Sequence, residues 1–354
     1  MKSRIHTAFR LPILSAITAL IVLSCSERSD FVAITGLAQG GTYTVKINMQ
    51  GIGISPREIK EGIDSILTTV DTTLSGYNKG SMLSRFNRGE KIRPNGMFFD
   101  IYDSARNLWT CTGGALDCAA GPLFDAWGFG FTNDTLPSRE QVSSLLSSCG
   151  MKHLADDLRA SIGPDGLLDP AKVSLSGILP HLNYNAIAQG YSSDLVASYL
   201  RSLGIKDMLV DIGEIFCDGL NPGGIGWTIA IDKPVDGNDT PGKDIFGIWQ
   251  SKGGPCGVVT SANNRRFYVR DGVKYSHTID PRTGFPTQHN LLSATIIAPD
   301  AMLADAYATA CMVLGVDASR KFILSNPDIE ACLIYRLPGG SMESWTSPGF
   351  NMVD

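Results

Sequence analysis

Residues 257–298 read GVVTSANNRRFYVRDGVKYSHTIDPRTGFPTQHNLLSATIIA. Four runs within it, 257–261, 266–270, 274–279 and 292–298, are rich in Val, Ile, Thr, Tyr and Phe, the composition of strands. Short Asn/Asp/Gly connections separate the first three, and a turn-forming stretch precedes the fourth. Asp280-Pro281 and Thr283-Gly284-Phe285-Pro286 pair prolines that set φ with a glycine that tolerates φ > 0. No helical pattern intervenes, which favours antiparallel pairing. The same stretch sets His277 near a strand end and Asp280 on the turn that follows, a place where sites are commonly built.

Working outward, residues 41–48 alternate as a strand. Ser55-Pro56 opens a helix, with Ser as N-cap and Pro in the first turn. Its apolar stripe is Ile59, Ile63, Ile66, Leu67, Val70 and Leu74. Further helices are expected over 97–111, 138–149, 186–203, 301–314 and 317–325. Further strands are expected over 207–212, 227–232, 245–250 and 329–336. Helices and strands do not alternate regularly, which indicates an α+β fold of mainly antiparallel sheets with flanking helices. No repeat or low-complexity linker divides the chain. No G-x-G-x-x-G, Walker or G-x-S-x-G motif occurs, so Rossmann, P-loop and α/β-hydrolase readings fail.

The chain has 354 residues, 43% of them hydrophobic and 18% charged. Lys2, Arg4 and Arg10 flank a short apolar run that ends in Val22-Leu23-Ser24-Cys25, the layout of a secretory signal. Ending on Ser-Cys, it resembles a bacterial lipoprotein signal, with Cys25 lipidated after removal of residues 1–24. Residues 25–34 then form a polar tether and 35–354 a single domain. Without the signal, 27 basic residues face 35 acidic ones, a net charge of −8. Such a chain, with no basic runs, is a poor nucleic-acid binder. Cys25 aside, seven cysteines remain, with no C-x-x-C or Cys/His cluster to suggest structural zinc. They read as mostly buried small hydrophobes.

Asp305 and Thr309 stand four apart on the 301–314 helix and share a face. A carboxylate and a hydroxyl are hard oxygen ligands suited to Mg²⁺. An Asp on an otherwise apolar helix also needs a partner once buried, either the metal or a helix N-terminus or backbone amide. Tyr77 could hold a planar ligand or equally pack a loop. The small residues around Gly113-Gly114-Ala115-Leu116-Asp117 allow a ligand close to the backbone, though the Trp and Phe that follow could equally be core.

Several motifs, in order along residues 35–335, resemble the ApbE family of FAD:protein FMN transferases: QGGTYTVKI, LSGYNKGSMLSRFN, GGALDCAAGPLFDAWGFG, NYNAIAQGYSSDLVASYL, LVDIGEI, the TSANN…SHTIDPRTGFP stretch and ADAYATA. The resemblance implies an exported enzyme that moves FMN from FAD to a Thr or Ser hydroxyl of an exported partner protein, releasing AMP. It would be anchored by lipid in the bacterial cell envelope, most naturally facing the periplasm. It implies Mg²⁺ held by Asp305, Thr309 and the Ala186 carbonyl. Flavin contacts are implied at Gln39, Tyr77, Ala115, Leu116, Asp117, Asn183, Gln189 and Ile279. His277 is then the candidate base, with Asp280 orienting the turn or assisting at the metal. The chain departs from the family pattern at Asn183 (usually Asp), Gln189 (usually Lys), Asn185 (usually Ser or Ala), Ala308 and the single Gly of DIGEI. Those losses of charge keep open an FAD pyrophosphatase, with water in place of the protein hydroxyl, and a non-catalytic flavin-binding lipoprotein.

Overall fold

The computed structural model describes residues 30–128, 136–238, 240–263, 267–270, 273–276 and 278–353, with 267–270 and 273–276 described as backbone. Cys25 and His277 lie outside the described residues, as do the signal and Phe129-Gly130.

One eight-stranded sheet organises the chain, in the order β1 (Phe31–Ala38), β2 (Gly41–Asn48), β3 (Met208–Asp211), β4 (Ile215–Asp218), β7 (Cys256–Ala262), β12 (Leu291–Ala298), β13 (Glu330–Arg336) and β14 (Met342–Thr346). Three small sheets accompany it. One joins β15 (Met352–Val353), β6 (Ile245–Gln250) and β5 (Thr228–Asp232). The others pair β8 (Phe267–Arg270) with β9 (Val273–Ser276), and β10 (Ile279–Asp280) with β11 (Phe285–Pro286). Every strand pair among the described residues is antiparallel. The helices are α1 (Pro56–Leu74), α2 (Met82–Asn87), α3 (Gly96–Cys111), α4 (Gly121–Ala126), α5 (Arg139–Ser148), α6 (Pro170–Val173), α7 (Ala188–Ser202), α8 (Ala301–Leu314) and α9 (Val316–Leu324). The fold is α+β.

Side-chain alternation shows how the main sheet is covered. Val259, Ile296 and Leu333 face a large core shared with α3 and α8, whereas Val258, Ile297, Cys332 and Ile334 face Trp227 and Trp249 of the small-sheet layer. With both faces buried, β12 reads as LLSATIIA, a nearly unbroken apolar run. A second core joins Tyr43, Val45 and Ile47 of β2 to Ile59, Ile63 and Leu67 of α1 and to Val196 and Leu200 of α7. Each fully buried aliphatic side chain there contributes about 1.5–3 kcal/mol relative to exposure.

Local signals set most boundaries. Ser55 accepts the Glu58 amide while the Glu58 carboxylate takes the Ser55 amide, a capping box at the start of α1. Ser138 and Cys149 prove to be the caps of α5 rather than its ends. Two expectations need correction. Phe31 to Ile34, expected within the tether, belong to β1, because their backbone pairs in register with residues 45–48 of β2. The single strand expected over 274–279 is two: β9 ends at Ser276, and Ile279 starts a separate pairing with Pro286.

Candidate active site

Asp305 is the only carboxylate within α8, and it is 5% exposed. Its Oδ2 accepts the Gly190 amide at 3.3 Å. That amide lies in the first turn of α7, and in a continued helix it would bond to the Ala186 carbonyl. Instead, the Ile187 and Ala188 amides both donate to the Tyr184 carbonyl, and α7 begins at Ala188 rather than at residue 186 as expected. Among the described residues no amide takes the Ala186 carbonyl. Thr309 follows one turn beyond Asp305, half-buried.

Two glycines bring these elements together. A Cβ on Gly190 would lie 2.3 Å from the Ala301 carbonyl oxygen, and one on Gly257 of β7 would lie 2.4 Å from the Ala301 Cα. Only glycine lets α8 approach both α7 and the sheet so closely. From α7, Asp194 accepts the Ala301 and Met302 amides at 2.8 and 2.9 Å, capping α8. The sequence reading missed this residue. Its signal was the one available for Asp305, a carboxylate on a helix face whose neighbours Val196, Ala197 and Leu200 are buried.

Burial pushes the Asp194 carboxyl up to about 7, against the pull of its two amides. Burial likewise raises Asp305 far above the usual carboxylate range, with the Asp194 charge adding to the shift and the Gly190 amide opposing it. A buried carboxylate with one amide partner is neutralised either by a proton or by a bound cation. The expected ligands, a carboxylate, a hydroxyl and a backbone carbonyl, are all oxygen donors. Among the described residues no group of three or more His, Cys, Asp and Glu side chains gathers to hold a metal. This donor chemistry fits Mg²⁺, which retains waters and draws further ligands from phosphates. It does not fit a zinc site.

Of the positions expected to touch flavin, Gln39, Gln189 and Ala115 contact the crossing helices or lie in them. Gln39, in the β1–β2 turn with φ 51°, hydrogen-bonds the Ser192 hydroxyl of α7. The Gln189 amide nitrogen lies 3.5 Å from the Ile212 carbonyl oxygen, beside Gly213. The Asn183 amide donates to the Cys118 carbonyl at 2.7 Å, and its side chain accepts the Asn185 amide. Asn185 in turn lies 3.4 Å from the hydroxyl of exposed Tyr77. Ala115 packs against Ala310 and Val313 of α8. Ala115, Leu116 and Ile279 are buried, backbone and side chain alike. Asp117 accepts the Ala119 and Met151 amides, and burial raises its carboxyl to about 6. Its oxygens brace the 115–120 loop against residue 151.

Asp280 holds its own turn. Its carboxylate takes Arg282 Nε and a terminal guanidinium nitrogen at 2.9 and 2.8 Å, and its carbonyl accepts the Gly284 amide. Trp127 Nε1 donates to the Gly284 carbonyl at 2.7 Å, pinning the turn to the end of α4, and the Arg282 stem lies beside Gly114. The anchoring roles of Trp127 and Arg282 were not read from the sequence, because each depends on a partner far along the chain.

Known proteins similar to this chain in sequence and fold are transferases. The model of the ApbE family matches residues 40–333. An FAD:protein FMN transferase of Vibrio cholerae is 33% identical over 93% of this chain and 95% of its own. The solved flavin transferase ApbE from Vibrio cholerae superposes with a TM-score of 0.74 at 31% identity, covering 90% of this chain and 97% of that one. The apo flavinyl transferase ApbE of Pseudomonas stutzeri gives 0.75 at 32%, covering 90% and 95%. The chain belongs to the ApbE family.

Proposed function

We propose that this enzyme transfers FMN from FAD to a Thr or Ser hydroxyl of an exported partner protein, with Mg²⁺, releasing AMP. The observation that carries the reading is Asp305: a buried carboxylate on an otherwise apolar helix with a single amide partner, in a chain whose relatives are named FAD:protein FMN transferase.

In the proposed reaction the acceptor oxygen bonds to the FMN phosphorus. The bond from that phosphorus to the bridging oxygen breaks, and AMP leaves with the oxygen. Mg²⁺, held by Asp305, Thr309 and the Ala186 carbonyl, would supply charge neutralisation at the diphosphate. The chain's own residues do the rest. Asp194 and Gly190 lock α7 and α8 in the arrangement that presents Asp305. Gln39, Asn183 and Gln189 would offer polar contacts to the flavin along the start of α7. His277 takes the hydroxyl proton, and Asp280, through Arg282, holds the turn that follows it.

Among the described residues no helix is long and apolar enough to cross a membrane. The proposed attachment to the envelope is a lipid on Cys25, facing the periplasm.

Incubation with FAD, Mg²⁺ and a candidate acceptor tests the function. In-gel flavin fluorescence on the acceptor together with AMP release supports transfer. FMN and AMP in solution without labelling of the acceptor would mark a pyrophosphatase. Intact FAD retained on the chain would mark a flavin-binding protein.

A further inference from the structure

The proposed transfer leaves a pair of cysteines unused. Cys217 on β4 and Cys256 on β7 are directly opposed in the antiparallel register, 39 residues apart in the chain, with their Sγ atoms 3.6 Å apart. We infer that they form a cross-strand dithiol site that closes to a disulfide by exchange with a small organic disulfide.

The geometry favours closure. Opposed residues of an antiparallel pair have Cα atoms about 4.5–5.5 Å apart, inside the range of about 4.4–6.8 Å that disulfides span. Both side chains point to the same face, toward Trp227 and Trp249, so the Cβ vectors already agree. The sulfurs need to approach to about 2.05 Å, which small χ1 rotations supply. Cys332 shares the apolar cluster, but β12 lies between its strand and β7. Two strand spacings, about 10 Å, keep it from competing.

Access is asymmetric. Cys217 is fully buried, while half-buried Cys256 lines a cleft of about 350 Å³ together with Trp249, Pro255, Ile297, Pro299 and Pro327. The hydrogen bond with Cys256, together with burial, pushes the Cys217 thiol far up and disfavours its thiolate, so the more accessible Cys256 attacks first and Cys217 is the slower, resolving sulfur. Cys256 thiolate therefore attacks the reagent R–S–S–R, expelling R–S⁻ and forming a mixed disulfide. Cys217 thiolate then attacks Cys256 Sγ and expels the second R–S⁻. The two thiol protons leave on the products as two RSH; the cysteines are oxidised and the reagent is reduced. The bond would clamp β4 to β7. Ahead of β4, the Glu214 carbonyl accepts from Ser193 of α7, and Gly257 of β7 supports α8.

The test uses the full chain, treated under native conditions with oxidised glutathione, then alkylated in denaturant and digested without reductant. The expected result is one cross-linked peptide pair joining Cys217 to Cys256, lighter by two hydrogens. The oxidised protein should melt several degrees above the dithiothreitol-reduced protein, because the cross-link restricts the unfolded chain. A Cys217→Ala/Cys256→Ala variant should lose that redox-dependent difference. Alkylation of both cysteines after treatment, glutathione retained on Cys256, or a cross-link to a different cysteine would each overturn the inference. The peptide map of the unsubstituted chain decides it even where the variant fails to fold.

Discussion

Asp194 and Asp305 cap each other's helices. Asp194 of α7 takes the Ala301 and Met302 amides that open α8, and Asp305, one turn into α8, takes the Gly190 amide that opens α7. Each carboxylate thus settles first-turn amides that its partner helix leaves without an intrahelical acceptor. The exchange buries two carboxyls, and burial raises both, with the Asp194 charge adding to the shift at Asp305.

Asp194→Ala leaves the Ala301 and Met302 amides buried without acceptors. The expected cost is about 1–3 kcal/mol of folding stability, read from the urea midpoint at unchanged m-value. A loss below about 0.5 kcal/mol would show that the cap is replaceable by water.

Asp305→Ala removes the one formal charge assigned to the metal. Mg²⁺-dependent turnover should fall by at least about 10²–10³-fold, the scale of losing one partner to transition-state charge. The far-ultraviolet circular dichroism should stay that of the folded protein, and calorimetric Mg²⁺ binding should vanish. A folded variant with full activity would sink the metal assignment.

His277→Asn tests the base. If His277 takes the acceptor proton, single-turnover transfer should slow by about 10²–10⁴-fold while FAD affinity and melting temperature hold steady. Weakened FAD binding and a lowered melting point, with a proportionate loss of rate, would instead make the imidazole a structural support.

His289 gives a pH prediction. Its Nδ1 accepts the Leu291 amide, so Nε2–H donates to the Met312 carbonyl near the end of α8, and the neutral ring is satisfied at both nitrogens. Burial lowers its pKa below the ordinary 6.5. Because the folded value lies below the unfolded one, the folded state binds fewer protons. Its contribution is complete above about 6.5 and is lost as pH falls from there through the folded pKa. The stability difference between the unsubstituted chain and His289→Gln should therefore narrow as pH drops through that window. A constant difference from pH 7.5 to 5 would show the imidazole does not titrate as argued.

Sequence by itself determined the local pieces. The Ser55-Pro56-x-Glu58 box, the apolar period of α1, the turn residues of 280–286 and the apolar composition of β12 act over a few neighbouring residues, and those elements formed where expected. It also singled out Asp305, because a lone carboxylate in AMLADAYATACMVL is conspicuous wherever that helix lies. What tertiary structure alone decided is opposition between distant residues. β2 pairs with β3 across some 160 residues; Gly190 meets Ala301; Asp194 reaches the start of α8; Cys217 faces Cys256. The 186–203 helix likewise began two residues late because its first-turn amide was claimed by a carboxylate 115 residues away. Propensity, capping and periodicity depend on contacts within about four residues of the chain. Register and helix crossing depend on which buried faces the whole core brings together, and no short window of sequence contains that information.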